Sequence, residues 1–187
     1  MNPVRVVSTL AFVLGAAPAL AACPDLPDRA EYDSGMTMEV VERGADVLTY
    51  RQTITESGKE TDMVVQAGLF TLSAMRDGVG ASFDWKTELP GVADLVPGAT
   101  FTAEATLTTP GLLPPRPFRT EVRVIGEETI EVAGCSYPVM KIEVENFEGG
   151  QPLGLNTKWL HLPSLVVMRS TIAEHGSART QEVTALD

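Results

Sequence analysis

Residues 119–124 read Arg119-Thr120-Glu121-Val122-Arg123-Val124, and residues 140–145 read Met140-Lys141-Ile142-Glu143-Val144-Glu145. In the first, Thr120, Val122 and Val124 alternate with Arg119, Glu121 and Arg123. In the second, Met140, Ile142 and Val144 alternate with Lys141, Glu143 and Glu145. A period of two puts one set of side chains on a core and the other in water, the signature of a half-buried β-strand. The β-branched residues at the apolar positions favour strand over helix.

The same alternation spreads in both directions. Toward the N-terminus it recurs in Phe101-Ala103-Ala105-Leu107, Phe83 with Trp85, Met63-Val65-Ala67-Leu69, Leu48-Tyr50-Gln52-Ile54 and Met36-Met38-Val40. Toward the C-terminus come Thr157 to Leu162, Leu165 to Ala173 and Ala178 to Leu186. Turn residues separate the runs: Gly44-Ala45-Asp46, Glu56-Ser57-Gly58-Lys59, Asp77-Gly78, Gly126-Glu127-Glu128, Gly149-Gly150, Pro163-Ser164 and Glu174-His175-Gly176-Ser177. Asp-Gly is the strongest hairpin signal among them. Val92 to Val96 has room for one helical turn before Pro97-Gly98. Pro110, Pro114, Pro115 and Pro117 lack backbone donors, so this stretch reads as a loop or an edge crossing, with a PxxP-type ligand as the alternative. The expectation is an all-β single domain: an antiparallel β-roll, barrel or sandwich of about nine to eleven short strands, with little helix and no repeat.

The first 22 residues have a different character. Arg5 precedes an apolar stretch from Val6 to Leu20 that Gly15 and Pro18 interrupt. It is too short for a spanning helix, which needs roughly 20 apolar residues, and it ends in small residues, the layout of a secretory signal. No later stretch is long enough to span a bilayer. The domain expectation is therefore a signal at 1–22, a polar extended lead-in at 23–35 and a β-domain at 36–187. Leu20-Ala21-Ala22-Cys23 supports two outcomes: ordinary cleavage after a small-x-small site, or a lipobox with Cys23 lipidated. The chain holds two cysteines, Cys23 and Cys135. In an oxidising compartment two thiols on one small domain tend to pair, which favours a Cys23–Cys135 disulfide in the periplasm over a lipid anchor through Cys23.

The formal net charge is −11. An acidic surface lacks the basic patches that displace phosphate counterions, which argues against nucleic acid, and it keeps an exported protein soluble. Hydrophobic content of 44% and charged content of 21% describe a globular chain.

The residues offer no catalytic set. There are two histidines, His161 and His175, and neither has a partner at metal-ligand spacing. His175 sits in a Gly-Ser turn and reads as solvated; His161 reads as a rim or outer-face residue. No G-x-S-x-G occurs. Cys135 as a nucleophile competes with its pairing to Cys23. Glu127 and Glu128 are adjacent, so on a strand they face opposite ways and cannot act as a glycosidase pair. Gly78-Val79-Gly80 lacks the rest of a dinucleotide fingerprint, and Asp25, Asp28 and Asp33 lack calcium-loop spacing. No metal and no cofactor is expected. The aromatics read first as core. The functional reading is a cavity inside a curved sheet, lined by Met38, Tyr50, Ile54, Phe101 and Trp159, for a lipid or a small apolar ligand.

One set of positions resembles a known family. Leu95, Pro97 and Gly98 are followed by Gly126, Glu128, Ile130, Val132 and Gly134, then Tyr137, then Trp159 and Pro163, and last Val167 and Arg169. This spacing resembles a family of bacterial envelope proteins of unknown function with a spiral β-roll domain, many of them lipoproteins or periplasmic. The chain departs from the pattern at Cys135 and at Leu160-His161. The resemblance implies an envelope location and brings no catalytic residues; Trp159 would cap or fill the roll. Three functions are carried forward: a non-enzymatic exported β-domain binding an apolar ligand or an envelope partner, a structural or assembly lipoprotein, and a small hydrolase with an unrecognised site.

Overall fold

The computed structural model describes residues 23–111, 113–132, 134–174 and 176–187. Twelve strands are present among them: β1 (Arg29–Tyr32), β2 (Met36–Arg43), β3 (Val47–Ile54), β4 (Lys59–Gln66), β5 (Phe70–Arg76), β6 (Val79–Trp85), β7 (Thr100–Thr109), β8 (Leu113–Val132), β9 (Cys135–Glu148), β10 (Gln151–His161), β11 (Val166–Glu174) and β12 (Ser177–Leu186). Each pairs antiparallel with its neighbour in sequence, and β1 pairs with β12, so the sheet closes into a barrel. The expected signal at 1–22 and His175 lie outside the described residues. A single 3₁₀ turn, Val92–Asp94, interrupts the strands, where one helical turn was expected.

Local chemistry explains several joints. Asp77 and Gly78 both take positive φ, 52° and 76°, between paired Arg76 and Val79. That is the twist a two-residue hairpin requires. The run read as Met63 to Leu69 breaks earlier: β4 ends at Gln66, and Ala67 and Gly68 turn the chain with φ of 49° and 67°. The prolines correct the loop reading, because Pro114, Pro115 and Pro117 lie within β8. They are tolerated because the ladder with β9 starts only at Phe118, so this end of β8 is paired as a strand with β7 alone, the Pro117 carbonyl accepting from the Gly149 N–H just past β9. The lead-in is also part of the barrel. Ala30 and Tyr32 of β1 are buried, in a strand too short for its period to stand out.

Gly126 does not turn the chain. The β8–β9 ladder continues past it to Val132↔Cys135, with a register shift between Val124 and Gly126. The extra residue, Ile125, makes a β-bulge. Beyond it the two strands form an arm. On β9 the odd residues keep the outward direction of Lys141, yet Tyr137 and Val139 are buried. They cluster with Ile130 and Val132 of the arm and with Val166 and Met168 of β11. The Tyr137 ring meets His161 edge-on at 5.3 Å. The arm therefore leans on the outside of β10 and β11. It carries Cys135, bonded to Cys23, and Tyr137 donates to the Pro24 carbonyl at 3.1 Å. Arg43 donates to the Pro27 carbonyl at 2.7 Å and to that of Ser164 at 3.3 Å, so the lead-in is held at several points.

Elsewhere the outer wall is charged. Arg51 pairs with Asp62 at 2.9 Å, Lys141 with Glu128 at 3.0 Å, and Arg123 with Glu143. Such mid-strand ion pairs are the opposite of the apolar band on a lipid-facing barrel. Among the described residues, no helix is long and apolar enough to cross a membrane.

Candidate functional site

Seven strands direct side chains into one internal cavity of about 100 Å³. Met36 and Met38 come from β2, Leu48 and Tyr50 from β3, Val65 from β4 and Thr71 from β5. Tyr32 enters from β1, Val167 from β11 and Lys158 from β10, and the turn residues Gly68, Leu69 and Leu165 complete the wall. The alternation of these strands is the reason they meet, since each contributes one face to the lumen.

Lys158 is the unusual member. It is half-buried, and it lines the cavity. Its ammonium makes no hydrogen bond or ion pair with any described residue, and no Asp or Glu lines the cavity. Its nearest cross-strand neighbours are Ile142 and Ser170, both uncharged. Desolvation therefore lowers its pKa to about 8. Two residues away on the same face, the Asn156 Oδ1 is buried without a partner. The tyrosines divide their roles. Tyr32 donates to the Val167 carbonyl at 3.0 Å, while the Tyr50 hydroxyl has no hydrogen-bond partner among the described residues. Burial pushes Tyr50 up to about 12 and raises Tyr32 further, with the neighbouring Tyr50 as a second cause.

The five residues expected to line a cavity separate. Met38 and Tyr50 line it. Ile54 is the last residue of β3 and is exposed. Phe101 pairs with Val122 and packs against the other core cluster, around Leu95 and Ile142. Trp159 is on the outer side, because Lys158 and Leu160 hold the inward positions of β10. Its indole donates to Glu128 at 2.8 Å, and Lys141 and Arg169 lie 5.2 and 5.6 Å from its ring. These contacts draw Glu128 below the usual carboxylate range, the indole hydrogen bond first and Lys141 second. Trp159 thus neither caps nor fills the interior. Aromatic filling comes instead from Phe70, Phe83, Trp85 and Phe118, whose rings lie 4.9–6.2 Å apart in successive pairs. Lys158 was missed because lysine reads as a solvated position. The available signal was its parity with Leu160.

His161 and Ser164 form a pair that resembles part of a catalytic set. The His161 Nδ1 lies 2.7 Å from the Ser164 Oγ. Both side chains are buried: His161 is on the outer face of β10, one of the two positions expected of it, but the arm covers it. Ser164 also accepts from the Val166 N–H at 3.3 Å, and no carboxylate hydrogen-bonds to the ring among the described residues. The pair ties the β10–β11 turn together. Burial lowers the His161 pKa; Asp25 opposes the shift and Arg43 assists it. Among the described residues no three His, Cys, Asp or Glu side chains gather as a metal site.

No family model and no curated protein matches this chain. Among solved structures, the fold is similar to that of the hypothetical lipoprotein YmcC from Escherichia coli K12. The TM-score is 0.50, at 13% identity, over 83% of this chain and 80% of that one. At that identity the likeness is one of fold alone: an all-β architecture shared with a hypothetical lipoprotein.

Proposed function

We propose that this chain is an exported, non-enzymatic barrel of the bacterial envelope that holds a small, mostly apolar ligand in its lumen. The observation that carries the reading is the internal cavity, with walls from Met36, Met38, Leu48, Val65, Leu69 and Val167 and few polar tips. Its volume, about 100 Å³, is below the roughly 300–1,000 Å³ of pockets for drug-sized molecules. The ligand is accordingly small, and a whole lipid is too large. Export is supported by the signal-like residues 1–22 and by the Cys23–Cys135 bond, since disulfides persist in oxidising compartments.

A second reading, a lipid-anchored structural protein, draws on Leu20-Ala21-Ala22-Cys23 and on the fold shared with a lipoprotein. It competes for the same sulfur: Cys23 cannot hold a disulfide and a lipid thioether together. The closed barrel leaves a partner few open strand edges, at the 113–117 end of β8 and along the β8–β9 arm.

Native mass spectrometry of protein purified from the periplasm tests both readings. A small retained mass, released on denaturation, supports the first. A bare protein that no small apolar probe enters removes it. The mass of the N-terminal peptide separates a disulfide from a lipid at Cys23.

A further inference from the structure

We infer that the lumen selects an acid: a short-chain carboxylate whose oxygens accept hydrogen bonds from the Lys158 ammonium and the Tyr50 hydroxyl. This rests on the lumen being a ligand site and adds the chemistry of the ligand. The wall has donors to spare and no anion. Lys158 has no acceptor among the described residues, the Tyr50 hydroxyl is uncommitted, and the third titratable group, Tyr32, is engaged with the Val167 carbonyl. An ammonium partly withdrawn from water into an apolar lining, with no counter-ion beside it, is costly, and a charge-assisted hydrogen bond is the strongest remedy.

The alternatives fit less well. An amine would meet the lysine as a like charge. A phosphate would bring two charges to one ammonium, with no guanidinium and no helix N-terminus to share them. A neutral apolar molecule would fill the space around Met36, Met38, Leu48 and Val65 and leave Lys158 uncompensated. The cavity, about 100 Å³, is only about three times the ~30 Å³ that a water occupies in the liquid, which limits the acid to a short chain, butyrate at the longest.

The test is calorimetric titration of the purified protein at pH 7 with butyrate, butanamide, 1-butanol and butylamine. Butyrate should bind at least ten-fold more tightly than butanamide. Lys158→Met, which fills the same space without charge, should abolish that preference, and Tyr50→Phe should weaken butyrate several-fold. Butyrate binding should also fade as the pH is raised and the ammonium loses its proton. Equal binding of butyrate and butanamide, or a preference that survives Lys158→Met, overturns acid selection and leaves the lumen reading standing. Failure of all four probes removes both.

Discussion

Lys158 and Trp159 are consecutive residues on opposite sides of the barrel wall: the lysine lines the apolar cavity, and the tryptophan lies outside between Lys141 and Arg169. The usual partition is reversed at this point. The indole is half-buried outside, with the Glu128 carboxylate accepting its N–H. The lysine shares its cavity with methionine, leucine and tyrosine and has no counter-ion among the described residues.

Lys158 should give stability an alkaline maximum. Its folded pKa is about 8 against an ordinary 10.5. Between those values the unfolded chain binds more protons, so stability rises with pH, by up to about 3 kcal/mol over the whole window. Tyr50 acts in the opposite sense above pH 10. Its folded pKa is raised to about 12 from 10.0, so there the unfolded chain ionises first and stability falls. Urea unfolding from pH 7 to 11 should show a maximum near pH 10. Lys158→Met should raise stability at pH 7 by about 1–3 kcal/mol and remove the rising limb. A flat profile in the parent protein would refute the desolvated lysine.

The Cys23–Cys135 bridge closes a loop with a sequence separation of 112. In the chain-entropy model such a loop contributes about 4–5 kcal/mol at most. Cys135→Ser should lower the thermal midpoint under oxidising conditions and have little effect in reductant. An unchanged midpoint, with thiols that react in the native protein, would count against the bridge.

His161 should make the fold sensitive to mild acid. Its folded pKa is lowered, chiefly by burial, so as pH falls through the ordinary histidine range the unfolded chain takes the proton first. Stability is lost in that window and levels off below the folded pKa. His161→Gln should flatten the slope between pH 7 and 5, read from midpoints at several pH values. A slope unchanged by the substitution would assign the acid sensitivity elsewhere.

Gly68 is held at φ +67°, and a Cβ built there would lie 2.6 Å from the Leu160 Cδ1 and 3.1 Å from the Leu165 carbonyl oxygen. Gly68→Ala should cost about 1–3 kcal/mol and reduce the space beside Lys158. A neutral result in chemical denaturation would mean that the β4–β5 turn can shift.

The strand pattern was legible wherever a strand is wet on one side and dry on the other, as in residues 119–124 and 140–145. It failed where burial depends on a distant element. Tyr137, Val139 and His161 lie on the outer side of their strands, and only the returning arm covers them. Gly126 was read as a turn because glycine serves turns and bulges alike; the register shift belongs to the β8–β9 pair and not to either strand alone. Met38 and Tyr50 were placed at the cavity by simple alternation. Trp159 was placed inside by its apolarity, when parity with Lys158 and Leu160 excludes it. The cysteine pairing was accessible from the count of two and the inferred compartment, without any geometry.

The pairing of β1 with β12 also governs when the molecule can be completed. Ala30 is opposite Leu186, so the seam joins almost the first described residue to the last. Every other seam can form between neighbours as the chain emerges, but this one waits for the C-terminal strand. Until then the free edges of β1 and β11 are adhesive, and contacts of such long sequence separation form slowly. Strand β12 therefore acts as the clasp that converts an aggregation-prone open sheet into a barrel.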